Sequence, residues 1–159
     1  MDNEHYLLRT QYDYIKQSRS VLFNYCHSIS NDKFLLENSS FGRGSIANLL
    51  AHMGNTYLFW IGQICLHRNL TYLEYGDIKN MDDILAHFAT VDETVYSLLS
   101  ADDINLFEER TYEINKVEGK ASIFKIVTHV FTHEYHHKGQ VLSLSRHLGY
   151  IPVDTDIMR

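Results

Sequence analysis

The sequence predicts an all-α fold: a four-helix bundle with long inter-helix connections, built as one domain over residues 1–159. Three observations lead there. Apolar residues recur at steps of three and four in four separate stretches, the period of one helix face. One proline and eight glycines in 159 residues leave no room for a sandwich, a collagen or a flexible linker. The chain has no internal repeat, so its helices belong in a bundle rather than a solenoid.

The first helix is expected over about residues 3–29, where Leu8, Tyr12, Ile15, Leu22, Cys26 and Ile29 form a stripe. Arg19 interrupts that stripe. Its expected place is the edge, with a packed stem and a head in water. Ser30-Asn31-Asp32 ends the helix, and a connection with a small apolar patch, Phe34-Leu35-Leu36, follows. Ser45 is the expected N-cap of a second helix, because a serine hydroxyl can accept from a free first-turn amide. This helix runs to about His67, with Leu49, Met53, Thr56, Trp60 and Gln63 or Ile64 inward and His52 on the same face. Residues 68–81 form a second long connection rich in polar turn signals.

A third helix over about 81–99 has the cleanest period, at Ile84, Phe88, Val91, Val95 and Leu98. Asp82 and Asp83 suit the positive end of its dipole. His87 reads as an edge residue. Residues 100–119 alternate apolar and charged positions, which allows a short extended or hairpin segment near 104–115 that Glu118-Gly119 should break. The fourth helix starts between Lys120 and Ser122 and ends at Leu148, with Gly149 as the residue after the cap and Pro152 beyond. Connections of this length permit crossovers, so a simple up-down-up-down order does not follow.

Composition narrows the function. Lys and Arg number 14 against 20 Asp and Glu, a formal charge of −6. That balance argues against nucleic acid or an anionic membrane surface as the main partner. The start, Met1-Asp2-Asn3-Glu4, is acidic and lacks the apolar core of a signal peptide. No apolar run approaches the ~20 residues of a membrane span. A cytoplasmic protein acting on a small molecule is the expectation. The two cysteines, Cys26 and Cys65, sit in apolar helical settings and read as buried free thiols.

Chemistry concentrates in the fourth helix. Five of the ten histidines fall between His129 and His147. Ile126, Val130, His133, His137, Val141, Leu144 and Leu148 make one stripe, so two histidines replace apolar residues facing the core. Burying two imidazoles together is unfavourable unless something satisfies them. A divalent cation held by neutral ring nitrogens does so. His129 and His133 form a competing pair, but His137 lies nearer the middle of the stripe. His129, His136 and His147 read as edge residues or as partners of the ligands. A third ligand must come from another helix, and His52 is the best placed.

His133-Glu134-x-x-His137 also spells the zinc-protease motif. The longer forms of that motif need Gly and His where this chain has Gln140 and Ser143, or a later Glu, and none follows Glu134. A di-iron bundle needs two Glu-x-x-His helices, and Glu134-x-x-His137 stands alone.

The run His129-Val-Phe-Thr-His133-Glu-Tyr-His136-His137-Lys-Gly139-Gln140 resembles the signature of the DinB/YfiT-like superfamily of metal-binding four-helix bundles. Leu49-Leu50-Ala51-His52, followed by Tyr57, Phe59 and Trp60, resembles that superfamily's histidine helix. The resemblance implies His52, His133 and His137 as metal ligands, the same trio the helix faces suggest. It implies homodimers, and for some members transfer chemistry on a low-molecular-weight thiol of the bacillithiol type. Lys138 stands where the family usually has Arg, which keeps a charge but loses a bidentate fork.

The expected activity is a metal-dependent thiol S-transferase. Three histidines leave a coordination position open, the pattern of a catalytic metal. A thiol bound there loses its proton and attacks an electrophile. Glu134, beside His133, is the candidate proton acceptor or ligand-orienting group, with an exposed solvating role as its alternative. Other readings are a non-catalytic stress-associated bundle binding metal or a small ligand, and a metal-dependent hydrolase. Three imidazoles suit Zn, Ni, Mn, Fe or Co.

Overall fold

A computed structural model describes residues 3–38 and 40–159. Met1 and Asp2 of the acidic start, and Ser39, lie outside the described residues. The elements are α1 (Asn3–His27), a short α2 (Asn31–Phe34), α3 (Ile46–Tyr57), α4 (Met81–Leu99), a hairpin of β1 (Glu109–Ile114) and β2 (Val117–Ser122), and α5 (Ile123–His147). A π-helical stretch, Leu58–Cys65, continues α3 directly, and a 3-10 turn spans Tyr75–Asp77. The mostly helical chain expected from the spacing is present. None of the described helices is long and apolar enough to cross a membrane.

Four helices pack in a ring. α3 contacts α4 and α5, and α1 contacts the same two. Their cross-contacts fix the directions. Asp13 meets Tyr96 and Phe23 meets Phe88, so α1 and α4 are antiparallel. Arg19 meets Glu134 and Tyr25 meets Ser145, so α1 and α5 run parallel. His52 meets His137 while Trp60 meets His129, so α3 opposes α5. The order is therefore up-down-down-up. This explains the long connections: two cross a diagonal of the ring, and residues 66–80 must run back along the bundle between two parallel helices. Asn55 pins that return segment, its side chain donating to the Leu73 carbonyl and accepting from the Leu73 amide at 2.9 Å each.

Local signals place the helix starts. Ser45 caps α3 by accepting from the Asn48 amide, and Ser122 caps α5 by accepting from the Lys125 amide. Asn80 and Asp83 form a reciprocal capping box at α4. Gly149, at φ 93°, ends α5 in the left-handed conformation that glycine adopts without a Cβ clash.

Three expectations need correction. Arg19 is not at an edge: it is only 2% exposed and lies inside the bundle. Its carboxylate partners on α4 and α5 make that burial possible. Gln63 faces solvent, while Ile61, Gly62 and Cys65 are buried. Along the wider π turn, with i→i+5 bonding, the buried positions are Leu58, Ile61, Gly62 and Cys65, which leaves Gln63 on the outer face. Finally, Glu118-Gly119 does not break the extended segment but lies within β2. The turn falls earlier, at Asn115-Lys116, both with positive φ (52° and 65°), in the two-residue form that suits hairpin twist. Gly119 pairs with Tyr112, whose ring covers it so closely that a Cβ there would lie 2.6 Å from the hydroxyl.

Cys26 and Cys65 are buried free thiols, as the apolar settings imply. Burial pushes both up to about 12, so neither is a ready thiolate.

Candidate metal centre

α3 and α5 bring His52, His133 and His137 together. The spacing of four on α5 stacks two rings on one face, and the antiparallel α3 lays His52 across them. Each residue offers one ligand atom, and the three atoms lie within 4.8 Å of one another, so the group could hold a metal ion. Ring centroids are 4.2 Å apart for His133–His137, 4.8 Å for His52–His137 and 5.0 Å for His52–His133. His137 is buried, and the other two are half-buried.

The protons on these rings can be assigned in part. Gln140 Oε1 lies 2.7 Å from His137 Nδ1. An amide oxygen only accepts, so the His137 proton sits on Nδ1 and its Nε2 keeps a lone pair. That Nε2 faces His133 Nε2 at 3.0 Å, while His133 Nδ1 is buried without a hydrogen-bond partner. Such a set has lone pairs to offer and too few donors to meet them. A divalent cation supplies what it lacks, and the donor set fits one.

The electrostatics agree. Burial, then Arg43, then His137 lower His52 to about 4. Burial, then the neighbouring histidines, lower His133 to about 3. His137 is also lowered, chiefly by burial and against the bond from Gln140. All three rings are therefore neutral near pH 7, the form that binds a metal.

The remaining α5 histidines stay outside this trio. His129 is exposed and packs edge-on against Trp60, with ring centroids 5.4 Å apart. His136 is exposed and touches the His137 ring. His147 lies against Phe41. On α4, the half-buried His87 packs where α3 has Gly54, and a Cβ at that glycine would lie 2.5 Å from its ring.

Glu134 turns the other way. It is fully buried, which overturns the exposed solvating alternative. Arg19 donates Nε to Oε1 at 3.1 Å and Nη2 to Oε2 at 3.0 Å, a bidentate pair. Tyr57 donates to Oε2 at 2.8 Å, and Lys138 Nζ lies 3.4 Å from Oε1. Arg19 also donates to Asp92 at 2.6 Å, which accepts from Tyr12 at 2.6 Å and pairs with Lys16. Burial alone would lift the Asp92 carboxyl, but Arg19, Tyr12 and Lys16 hold it below the usual range. Lys138 Nζ donates to Ser18 at 2.7 Å and sits 4.3 Å from the Tyr135 ring centre. This lysine braces α1 to α5 from within.

Two of the trio, His52 and His133, open on a cleft of about 570 Å³ lined also by Arg43, Phe59, Trp60, Tyr72, Ile114 and His129, with His137 buried behind them. That size suits a small molecule. The π-helical stretch supplies Phe59 and Trp60, and the hairpin supplies Ile114. Sequence reading missed two members of the site. Gln140 carried a usable signal, three residues after His137 on the same face. Arg43 carried none, since it lies in an irregular connection. The buried network was half-visible in Arg19, a charge set within an apolar stripe.

None of the curated proteins compared with the chain matches it. The model of the DinB family matches residues 1–159, the whole chain, and with the three-histidine cluster in place between its second and last long helices, the protein belongs to the DinB family.

Proposed function

We propose that this DinB-family protein is a metal-dependent transferase that activates a low-molecular-weight thiol of the bacillithiol type for attack on an electrophile. The observation that carries the reading is the convergence of His52, His133 and His137, of which His52 and His133 line an open cleft. His52, His133 and His137 would hold the ion, of which Zn, Ni, Mn, Fe and Co are all compatible with imidazole donors. A metal bound there would supply Lewis-acid stabilisation of a thiolate at neutral pH.

The chain's own residues do the rest. Gln140 fixes the His137 tautomer. Phe59, Trp60 and Ile114 exclude water from one side of the cleft. Glu134 acts as a positioning residue: tied to Arg19 and Tyr57, it fixes the rotation of α5 and so the direction of His133 and His137. With its oxygens so engaged, Glu134 is a poor general base, which weighs against the hydrolase reading. A non-catalytic metal- or ligand-binding bundle is the alternative in which the same site turns nothing over. The active unit is a homodimer in the cytoplasm on this reading.

The test has two parts. Metal analysis of the purified protein should give one equivalent, lost in His133→Ala and in His52→Ala. The cobalt form should then change its visible spectrum on adding a thiol and conjugate an electrophile such as 1-chloro-2,4-dinitrobenzene. Metal retained in either variant would remove the assigned trio. Tight metal with no thiol response and no conjugation would leave the binding-bundle reading in place of the transferase.

A further inference from the structure

The cleft above the three histidines also carries information about what enters it. Most of its polar groups are already committed. Asn55 is spent on the Leu73 backbone. Thr56 donates to the His52 carbonyl at 2.8 Å, and Tyr72 donates to Gln63 at 2.5 Å. His129 packs edge-on against Trp60 and is an imidazole rather than a permanent cation. Arg43 is different. Its side chain is exposed, and no carboxylate pairs with it among the described residues. Its one polar side-chain contact among the described residues is long, Nη2 to His52 Nε2 at 3.4 Å.

That placement is uncomfortable for two cations. A guanidinium within reach of a metal-binding ring sits close to the ion that the ring would hold, and like charges at such a separation repel. An anion between them removes the conflict. Arg43 is the one guanidinium lining this cleft, and Lys125 lines the adjoining cavity instead. The planar fork of a guanidinium matches the two oxygens of a carboxylate bidentately. The opposite wall is apolar and aromatic. Trp60 packs against Phe59, Tyr112 and His129, and a smaller cavity of about 210 Å³ adjoins the cleft, sharing Trp60, Ile114 and His129 as walls.

We infer that the substrate of this site carries a carboxylate, bound by Arg43 beside the three histidines, joined to a ring-sized apolar body that lies against Trp60 and Ile114. The inference rests on the reading of the trio as a metal centre, but its test separates the two.

Trp60 is the only tryptophan in the chain, so intrinsic fluorescence reports directly on this wall. The full chain, loaded with one equivalent of zinc, is titrated with 3-phenylpropionate and with its neutral amide. The expected result is a saturable change for the carboxylate, with the amide at least tenfold weaker. Arg43→Gln should weaken the carboxylate at least tenfold and leave the amide unchanged, and Arg43→Lys should fall between. The same titrations are followed by calorimetry, so that a fluorescence-silent complex is seen. Equal binding of acid and amide, carboxylate binding unaffected by Arg43→Gln, or no binding to the zinc-loaded protein would each overturn the inference and leave the metal centre standing. If the protein takes up no metal yet binds the carboxylate through Arg43, the metal reading falls and the cleft assignment survives. If neither binds, both fall.

Discussion

His133 and Glu134 are consecutive residues on α5, yet they face opposite chemical situations. Around Glu134 every strong demand is met: two bonds from Arg19, one from Tyr57 and a lysine within 3.4 Å. Around His133 the demands are left open, with one ring nitrogen lacking a partner and the other 3.0 Å from a second imidazole. Burying a charge is tolerable only when it is paired and hydrogen-bonded, and the Glu134 side satisfies that condition from within the chain. The His133 side leaves that demand open, and a metal ion could meet it. The contrast separates architecture from candidate site: the first network ties three helices together, and the second group leaves ring nitrogens free to bind.

The largest effect should come from breaking the satisfied side. Glu134→Ala leaves Arg19, which is 2% exposed, with Asp92 as its one carboxylate partner among the described residues and the Tyr12 hydroxyl as a neutral acceptor. Removing one partner of a buried ion pair costs about 3–5 kcal/mol, so the urea midpoint of the metal-free protein should fall sharply. A loss below about 1 kcal/mol would show that the network is not what fixes α5. On the open side the corresponding change acts on the ligand. Gln140→Leu removes the acceptor that fixes the His137 tautomer. Loss of such a partner typically lowers metal affinity about 10–100-fold, read by competition with a chromophoric chelator. The metal-free stability should hardly move, because Gln140 is only half-buried.

Acid should act through the part-buried histidines. His52 and His87 titrate at about 4 and His133 at about 3, all depressed first by burial. Their ordinary value is ~6.5. Between those limits the unfolded chain binds more protons than the folded one, so the stability these rings contribute is complete above pH ~6.5 and is lost as the pH falls toward 4. Urea midpoints of the metal-free protein from pH 7.5 to 4.5 should decline through that window. A flat profile would mean that the rings are better solvated than their burial implies.

Much of this was legible in the residues alone. The bundle, the extent of α4 and the grouping of the three histidines followed from spacing, because burial and helix geometry act locally enough to leave a period. Arg19 did not follow correctly. A charge in an apolar stripe is ambiguous until its partners are known, and Glu134 and Asp92 lie 115 and 73 positions away. The hairpin was half-legible: alternation marked β1, but Gly119 read as a breaker because nothing local shows that the Tyr112 ring lies over it. Arg43 was invisible for a related reason, since an irregular connection has no period from which a direction could be inferred.

The smallest expected effect is none, and it bears on which histidines make the pair. His129 and His133 are also four apart, so spacing alone allowed them to be the ligands. In the structure their ring centroids are 5.7 Å apart, against 4.2 Å for His133 and His137, and His129 packs on Trp60. His129→Ala should therefore keep one equivalent of metal with affinity within about threefold, a difference under the 1.4 kcal/mol of a tenfold change, while shifting Trp60 emission because the ring against it is gone. Loss of the metal would return His129 to the ligand set and move the site one turn along α5, away from Gln140. An unchanged affinity together with altered emission keeps the open side where His52 faces it, and leaves His129 as part of the cleft wall.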